Sequence, residues 1–458
     1  VGWNWKDTLR LSILKAHVSS EIMTAPAPIR FVSTRGKAPA LTFDEALLQG
    51  LASDGGLYIP ERVPQLPSTV WRAARSFPEM AAEVLARWLQ GVFPEETVSR
   101  VTVEALSFPV PLVPLGDGLY VLELFHGPTL SFKDFGARTM ARFAREVLRR
   151  RDERLLVLVA TSGDTGSAVA DGFAGLERVQ VGLLYPYGQV SPVQERQLIV
   201  QRLGVQAFAV HGTFDDCQRL VKSAFADPDF SRVRLSSANS INVGRLLPQM
   251  LYYIWAVAEG GFDEVVFCVP SGNLGNLTGG VLAALSGLPV RRFIAAHNAN
   301  DFFPRFLAGE GPAFGPSRRT LSNAMDVGAP SNFERLQALL GASMPERIWG
   351  TSVSDKETLQ TIRRVYETTG YLADPHTAVG LEAARRYREA TGDRAPLVVL
   401  ATAHPAKFPE VIRQALDFEP EAPEALARLW KQEVSVVHVE ADLEALKAHL
   451  LPHVAAGA

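Results

Sequence analysis

Seven short runs, rich in β-branched residues and apolar at nearly every position, recur along the chain from about residue 119. They are LYVLEL (119–124), LLVLVA (155–160), VQVGLLY (179–185), VQAFAV (205–210), EVVFCV (264–269), RRFIAA (291–296) and PLVVLAT (396–402). A strand with one wet face alternates apolar with polar residues. Runs without that alternation suit strands covered on both faces. Amphipathic stretches separate them, such as Phe132, Phe135, Met140, Phe143 and Val147 at spacings of three to five. Strand and helix in repetition predict an α/β fold with mainly parallel sheets.

The 458 residues predict two or three domains. Residues 23–110 read as a separate N-terminal, mainly helical domain. Residues 111–235 read as a small α/β domain, and 236–458 as a large α/β domain ending in helices and a short strand, VSVVHV (434–439). Residues 1–22 read as an upstream extension, because Met23 follows them and the fold-like pattern begins there.

A net charge of −3 gives no field for nucleic acid, and no basic run carries interleaved aromatics. Arg149–Arg151 fit the end of a helix, where cations suit the dipole. No apolar run approaches the ~18 residues of a membrane span. The two cysteines, Cys217 and Cys268, make no metal spacing, and Cys268 sits in a core-like run. His376 and His404 stand beside prolines in separate loops, so no metal site is expected. A reduced, cytoplasmic compartment fits.

In α/β sheets ligands bind beyond the carboxyl ends of the strands. Four loops there are unusually rich in Gly, Ser, Thr and Asn: HGPTLSFKDFGAR (126–138), TSGDTGSA (161–168), SGNLGN (271–276) and TAHPAKF (402–408). SGNLGN precedes a helix, whose N-terminus offers free N–H groups to an anion. A tight turn after a buried strand is the commoner account of such a run alone. TSGDTGSA is equally ambiguous, with Asp164 as a helix cap or a ligand contact. Lys133 falls in the first turn of a helix that Ser131 could cap. There the dipole and the flanking phenylalanines both disfavour an ammonium. Such a lysine suits Schiff-base chemistry, although position alone favours a side chain that reaches past its apolar neighbours to water.

Taken in order, these segments resemble the threonine synthase family, pyridoxal-phosphate enzymes of fold type II (tryptophan-synthase-β-like). The resemblance runs from about residue 30 to 420. It includes VSTRG (32–36), GLASDGGLYIPE (50–61), NSINVGRLLPQ (239–249), DPHTAVG (374–380) and ATAHPAKFPE (401–410). The SGDTG form resembles the yeast- and enterobacterial-like branch.

The resemblance implies that Lys133 holds pyridoxal 5'-phosphate as a Schiff base and then serves as acid and base. It implies that Gly272, Asn273, Leu274, Gly275 and Asn276 bind the cofactor phosphate, and that Thr402 meets the pyridine nitrogen. Asp164 matches a position near the cofactor's phenolic oxygen. Ser162, Thr165, Asn242 and Arg245 are candidates for the substrate's carboxylate and phosphate, with His126 either helping there or capping a turn. The implied enzyme is a carbon–oxygen lyase acting on phosphates, converting O-phospho-L-homoserine and water to L-threonine and phosphate. A monomer or homodimer is expected. The alternative is a serine/threonine dehydratase or phospho-amino-acid lyase on the same fold, against which the STRG and DGGLYIPE blocks speak.

Overall fold

The computed structural model of the chain describes residues 27–456 apart from 74 and 312. The expectation for residues 1–22 therefore lies outside the described residues. Two mainly parallel sheets carry the architecture, and every strand expected from an apolar run is found in one of them.

The six-stranded sheet runs in the order Ile348–Ser352, Val290–His297, Val265–Pro270, Leu397–Ala401, Leu119–Glu123, Leu112–Gly116. All neighbours are parallel except the last pair, a hairpin. The five-stranded sheet runs Val436–Glu440, Val205–His211, Val179–Pro186, Leu155–Ala160, Arg234–Ser236, and is wholly parallel. The central strands Val265–Pro270, Leu397–Ala401 and Leu155–Ala160 are buried at every residue. That burial is why their sequences show no alternation.

Helix Lys133–Arg151 links the sheets. Its buried stripe includes Phe135, Met140, Phe143 and Val147, and Arg149–Arg151 close its last turn as expected. The chain leaves it through Asp152 in the left-handed region, at φ 53°.

Sheet pairing does not follow the division expected at residue 235. Leu112–Gly116 and Leu119–Glu123 join the six-stranded sheet, while Val436–Glu440 returns from the C-terminal side to the five-stranded one. A run's apolarity makes it a strand but does not choose its neighbour. The N-terminal region is helical as expected, with helices Phe43–Gln49, Thr69–Arg72, Phe77–Trp88 and Glu95–Leu106 beside an antiparallel pair, Phe31–Ser33 with Tyr58–Pro60. Yet it has no separate core. Phe43 and Phe93 meet Phe143 of the linking helix at 5.8 and 4.9 Å between ring centroids, and their core is continuous with both sheets.

Cys217 and Cys268 are buried free thiols. Among the described residues, no helix is long and apolar enough to cross a membrane.

Arg335 fastens the N-terminal pair to the rest. Fully buried on helix Phe333–Leu340, it donates to Tyr58 O (3.0 Å), Ser240 O (2.9 Å), Ile241 O and Asn332 Oδ1 (2.7 Å). Replacing it with methionine strands these acceptors away from water. Arg335→Met is expected to lower the free energy of unfolding in urea by about 3 kcal/mol. A change within the scatter of surface substitutions would show that the tether is dispensable.

Candidate active site

The carboxyl ends of both sheets open on a cleft of about 410 Å³. Lys133, Ser162, Thr165, Arg245, the 272–276 loop and Thr402 all line it. Their convergence follows from strand order. Leu119–Glu123 pairs with Leu397–Ala401, so the loops after both strands run side by side. Ser131 bridges Ala403, and Phe132 N donates to Thr402 O at 2.9 Å. Lys133 is thereby set next to Thr402.

The helix begins at Lys133 itself, with Phe132 at the N-cap. Ser131 is not the cap that its residue type suggested; its hydroxyl is buried without a partner. Asp134, in the helix's first turn, does not face solvent. It is enclosed, accepting from Thr129 N (2.9 Å) and Thr129 Oγ1 (2.7 Å), and burial raises its pKa to about 6 against those bonds.

Lys133 is half-buried, with Nζ 4.5 Å from the centroid of the Phe132 ring. Desolvation pushes its pKa down to about 8. Asp164 opposes the fall, while Arg245 and Lys407 add to it. The expected direction holds, but two neighbouring cations contribute that position in the sequence could not reveal.

Across the cleft, Leu274 takes a left-handed φ of 61° and opens helix Gly275–Leu285. A non-glycine residue there costs about 1–2 kcal/mol, the kind of strain that collects at binding sites. Gly272 passes so near the 324–325 backbone that a Cβ would stand 2.8 Å from Met325 Cα. Asn273 holds the loop rather than facing the cleft as a free donor. Its Nδ2 donates to Ser240 Oγ (2.7 Å), and its Oδ1 accepts from Ser331 N (2.5 Å). Asn276 Oδ1 accepts from Tyr252 and Tyr253 (2.8 and 2.7 Å), which leaves Nδ2 buried with no partner. Orphan donors at a helix N-terminus fit a phosphate.

Arg245 is almost enclosed on the short helix Val243–Leu246. It donates to Ala238 O, and its Nε has no partner. Burial lowers its pKa to about 10. Asn242, expected near the substrate, does not line the cleft. It caps this helix, accepting from Gly244 N (2.8 Å) and donating to Leu47 O and Ser237 O (2.9 Å each). His126 is also displaced, pairing with Glu123 at 2.6 Å beside Phe125.

Asp164 is neither a cap nor a wall of the cleft. Its carboxylate meets Lys407 at 2.7 Å and Gln194 Nε2 at 3.1 Å. Burial opposes its ionisation, but Lys407 and Lys133 hold its pKa down to about 2.

Residue-by-residue reading of the sequence missed Lys407 and His376. His376 lines the cleft, with Nδ1 2.7 Å from Asp374 Oδ1 and Nε2 accepting from Ala324 N at 3.2 Å. It thus pins the loop that covers Gly272. Among the described residues no cluster of metal-ligating side chains occurs.

Over residues 106–403 the chain matches a family of pyridoxal-phosphate dependent enzymes. Residues 30–106 match the threonine synthase N terminus, and 377–450 the threonine synthase C-terminal region. A threonine synthase of Haemophilus influenzae is 40% identical over 418 residues, covering 90% of this chain and 97% of its own. The chain belongs to the threonine synthase family.

The solved structures agree with that membership. Pyridoxal-phosphate-bound threonine synthase from Brucella melitensis superposes with a TM-score of 0.87 at 38% identity, covering 93% of this chain and 99% of its own. The yeast threonine synthase gives 0.85 at 34%, with the same coverage. Pyridoxal phosphate is the cofactor of this family member. The glycine loop with its orphan donor, the depressed amine of Lys133 and the adjoining Thr402 fit it.

Only a neutral amine attacks an aldehyde, so if Lys133 is the amine that takes the cofactor, capture by the apoprotein follows its titration. The rate constant is expected to rise tenfold per pH unit and level off above about 8. Stopped-flow growth of the visible band measures it. A rise continuing to pH 10 would mean an unperturbed lysine.

Proposed function

We propose that the chain converts O-phospho-L-homoserine and water to L-threonine and inorganic phosphate. The observation that carries this reading is one cleft holding both a depressed lysine and two separate anion sites. One is the 272–276 loop with Asn276 Nδ2, and the other is the underused guanidinium of Arg245. A substrate that carries its own phosphate, acted on beside a phosphorylated cofactor, needs both. In this reading the two sheets are the halves of a tryptophan-synthase-β-like fold, braced by the N-terminal helices.

When bound, pyridoxal phosphate supplies a ring that absorbs the negative charge left by deprotonation at the substrate's α-carbon. The chain's residues do the rest. The backbone N–H groups at Gly272–Asn276, helped by Asn276 Nδ2, would hold the cofactor phosphate. The Thr402 hydroxyl, on the cleft wall, would meet the ring nitrogen. A neutral hydroxyl cannot hold a full positive charge there, which moderates the electron demand. Arg245, with its planar fork of donors, takes the substrate phosphate, and Ser162 and Thr165 take the carboxylate.

Lys133 Nζ removes the α-proton and later returns one to the same carbon. A pKa of about 8 lies close enough to neutrality for one amine to serve as both base and acid. Its long stem also lets the same nitrogen reach the β- and γ-carbons, where a further proton leaves and one is added. The cleft walls keep water from the reacting carbons until phosphate has left and hydration at the β-carbon is due.

Purified protein supplied with pyridoxal phosphate and O-phosphohomoserine is expected to release threonine and phosphate one to one. Lys133→Ala should abolish the visible band and lower kcat by at least about 10³-fold. Arg245→Lys should lower kcat/KM about tenfold or more by losing bidentate contact. Release of 2-oxobutyrate in place of threonine would move the protein to the dehydratases and lyases.

A further inference from the structure

Lys407 has no part in the reading above, although its surroundings are unusual. It has 0% exposure and lies on the single turn Pro405–Lys407 that follows strand Leu397–Ala401. Its ammonium sits 2.7 Å from Asp164 Oδ1 and donates to Thr129 O at 3.0 Å. Thr129 is held from its other side by Asp134, the residue after Lys133. Lys407 therefore grips both the loop carrying Asp164 and the turn that leads into Lys133.

Stability alone does not account for this arrangement. Enclosing two ions is costly, and neutral apolar replacements of buried pairs are often as stable or more so. The charges around the group in question come from several elements. Lys133 faces Asp164 on helix Asp164–Phe173, Arg245 on helix Val243–Leu246, and Lys407. Lys407 in turn acts on Asp134 and His404, and Asp171 also acts on Asp134.

We propose that Lys407 is a positioning residue of the reaction, keeping Asp164 ionised beside Lys133 so that the Lys133 nitrogen carries its proton against a fixed carboxylate. The inference rests on the reading of Lys133 as the cofactor lysine. Asp164 pairs with Lys407 at hydrogen-bond distance, and Lys407 is the largest of the influences that keep it ionised. Without that cation, desolvation takes over and Asp164 accepts a proton. Lys133 then loses the charge that acts most strongly in its favour.

The test follows pyridoxal phosphate capture by the apoprotein against pH, in wild type, D164N, K407M and the double variant. D164N leaves Lys133 facing Arg245 and Lys407 without compensation, so its midpoint should be the lowest. A drop of about one unit is expected, seen as roughly fivefold faster capture at pH 7. K407M should share the midpoint of the double variant, because Asp164 is uncharged in both. That shared value should lie between D164N and wild type, since Asp164 acts on Lys133 more strongly than Lys407 does.

A K407M midpoint above wild type would mean that Asp164 stays ionised unaided, and would overturn the proposal. So would an unmoved midpoint in D164N, whatever its thermal stability, because that is the signature of a merely structural pair. If K407M does not fold, K407Q, which keeps Asp164 and a neutral hydrogen-bond donor beside it, takes its place: a midpoint between D164N and wild type supports the proposal, and one above wild type defeats it. Lys133→Ala is the control for the premise. A wild-type band that survives in it would remove the premise and the proposal together.

Discussion

The site depends on the parallel pairing of Leu119–Glu123 with Leu397–Ala401. Backbone hydrogen bonds continue past the ends of both strands, through Leu124 N to Ala401 O and Phe132 N to Thr402 O. Two loops far apart in the chain are thereby zipped together residue by residue. Lys133, Thr402 and Lys407 owe their proximity to this register. A slip by one residue would turn each side chain to the other face and dismantle the site while leaving the sheet intact.

Around that seam, charge is distributed against the composition of the chain. The whole protein carries −3, yet the cleft gathers Lys133, Arg245 and the N-terminus of helix Gly275–Leu285, with Lys407 just beneath. In a partly desolvated space these groups repel one another, and the amine of Lys133 yields first. Arg245 stays charged because a guanidinium at about 10 remains protonated at neutral pH. In the proposed reading, the burial and neighbouring cations that favour a neutral Lys133 also suit the cleft to two phosphates.

Much of this was legible in the sequence where burial is complete. The strands Leu155–Ala160, Val265–Pro270 and Leu397–Ala401 announce themselves because both faces are covered. Ile348–Ser352, Leu112–Gly116 and Arg234–Ser236 do not, being edge or hairpin strands that are only partly buried. Their short, mixed patterns resemble loops. Side-chain direction was less legible still. Ser131, Asn242 and His126 have the right chemistry for a cap, a ligand contact and a phosphate contact. The backbone instead sends them to a buried pocket, a helix cap and a carboxylate. The loop over Gly272 has no periodicity at all, and side-chain bonds such as those of Asn298 and Asn300 to Thr320, Arg318 O and Asp326 help to give it shape, beside the His376 contact.

The two lysines of the seam make the same point more sharply. SFKDF and PAKFP both place a lysine next to phenylalanine, just after a strand of the same sheet. Residue type, neighbours and position are alike, so local sequence offered a signal for Lys407 but no means of ranking it against Lys133. What separates them is a single carboxylate. Asp164 lies within hydrogen-bond distance of Lys407, while Lys133 opens toward the cleft and feels the same carboxylate by field alone. One lysine is committed to a partner and the other is left open to the cleft. That division is made by the third element, helix Asp164–Phe173 of the other sheet, whose first residue decides which amine is satisfied.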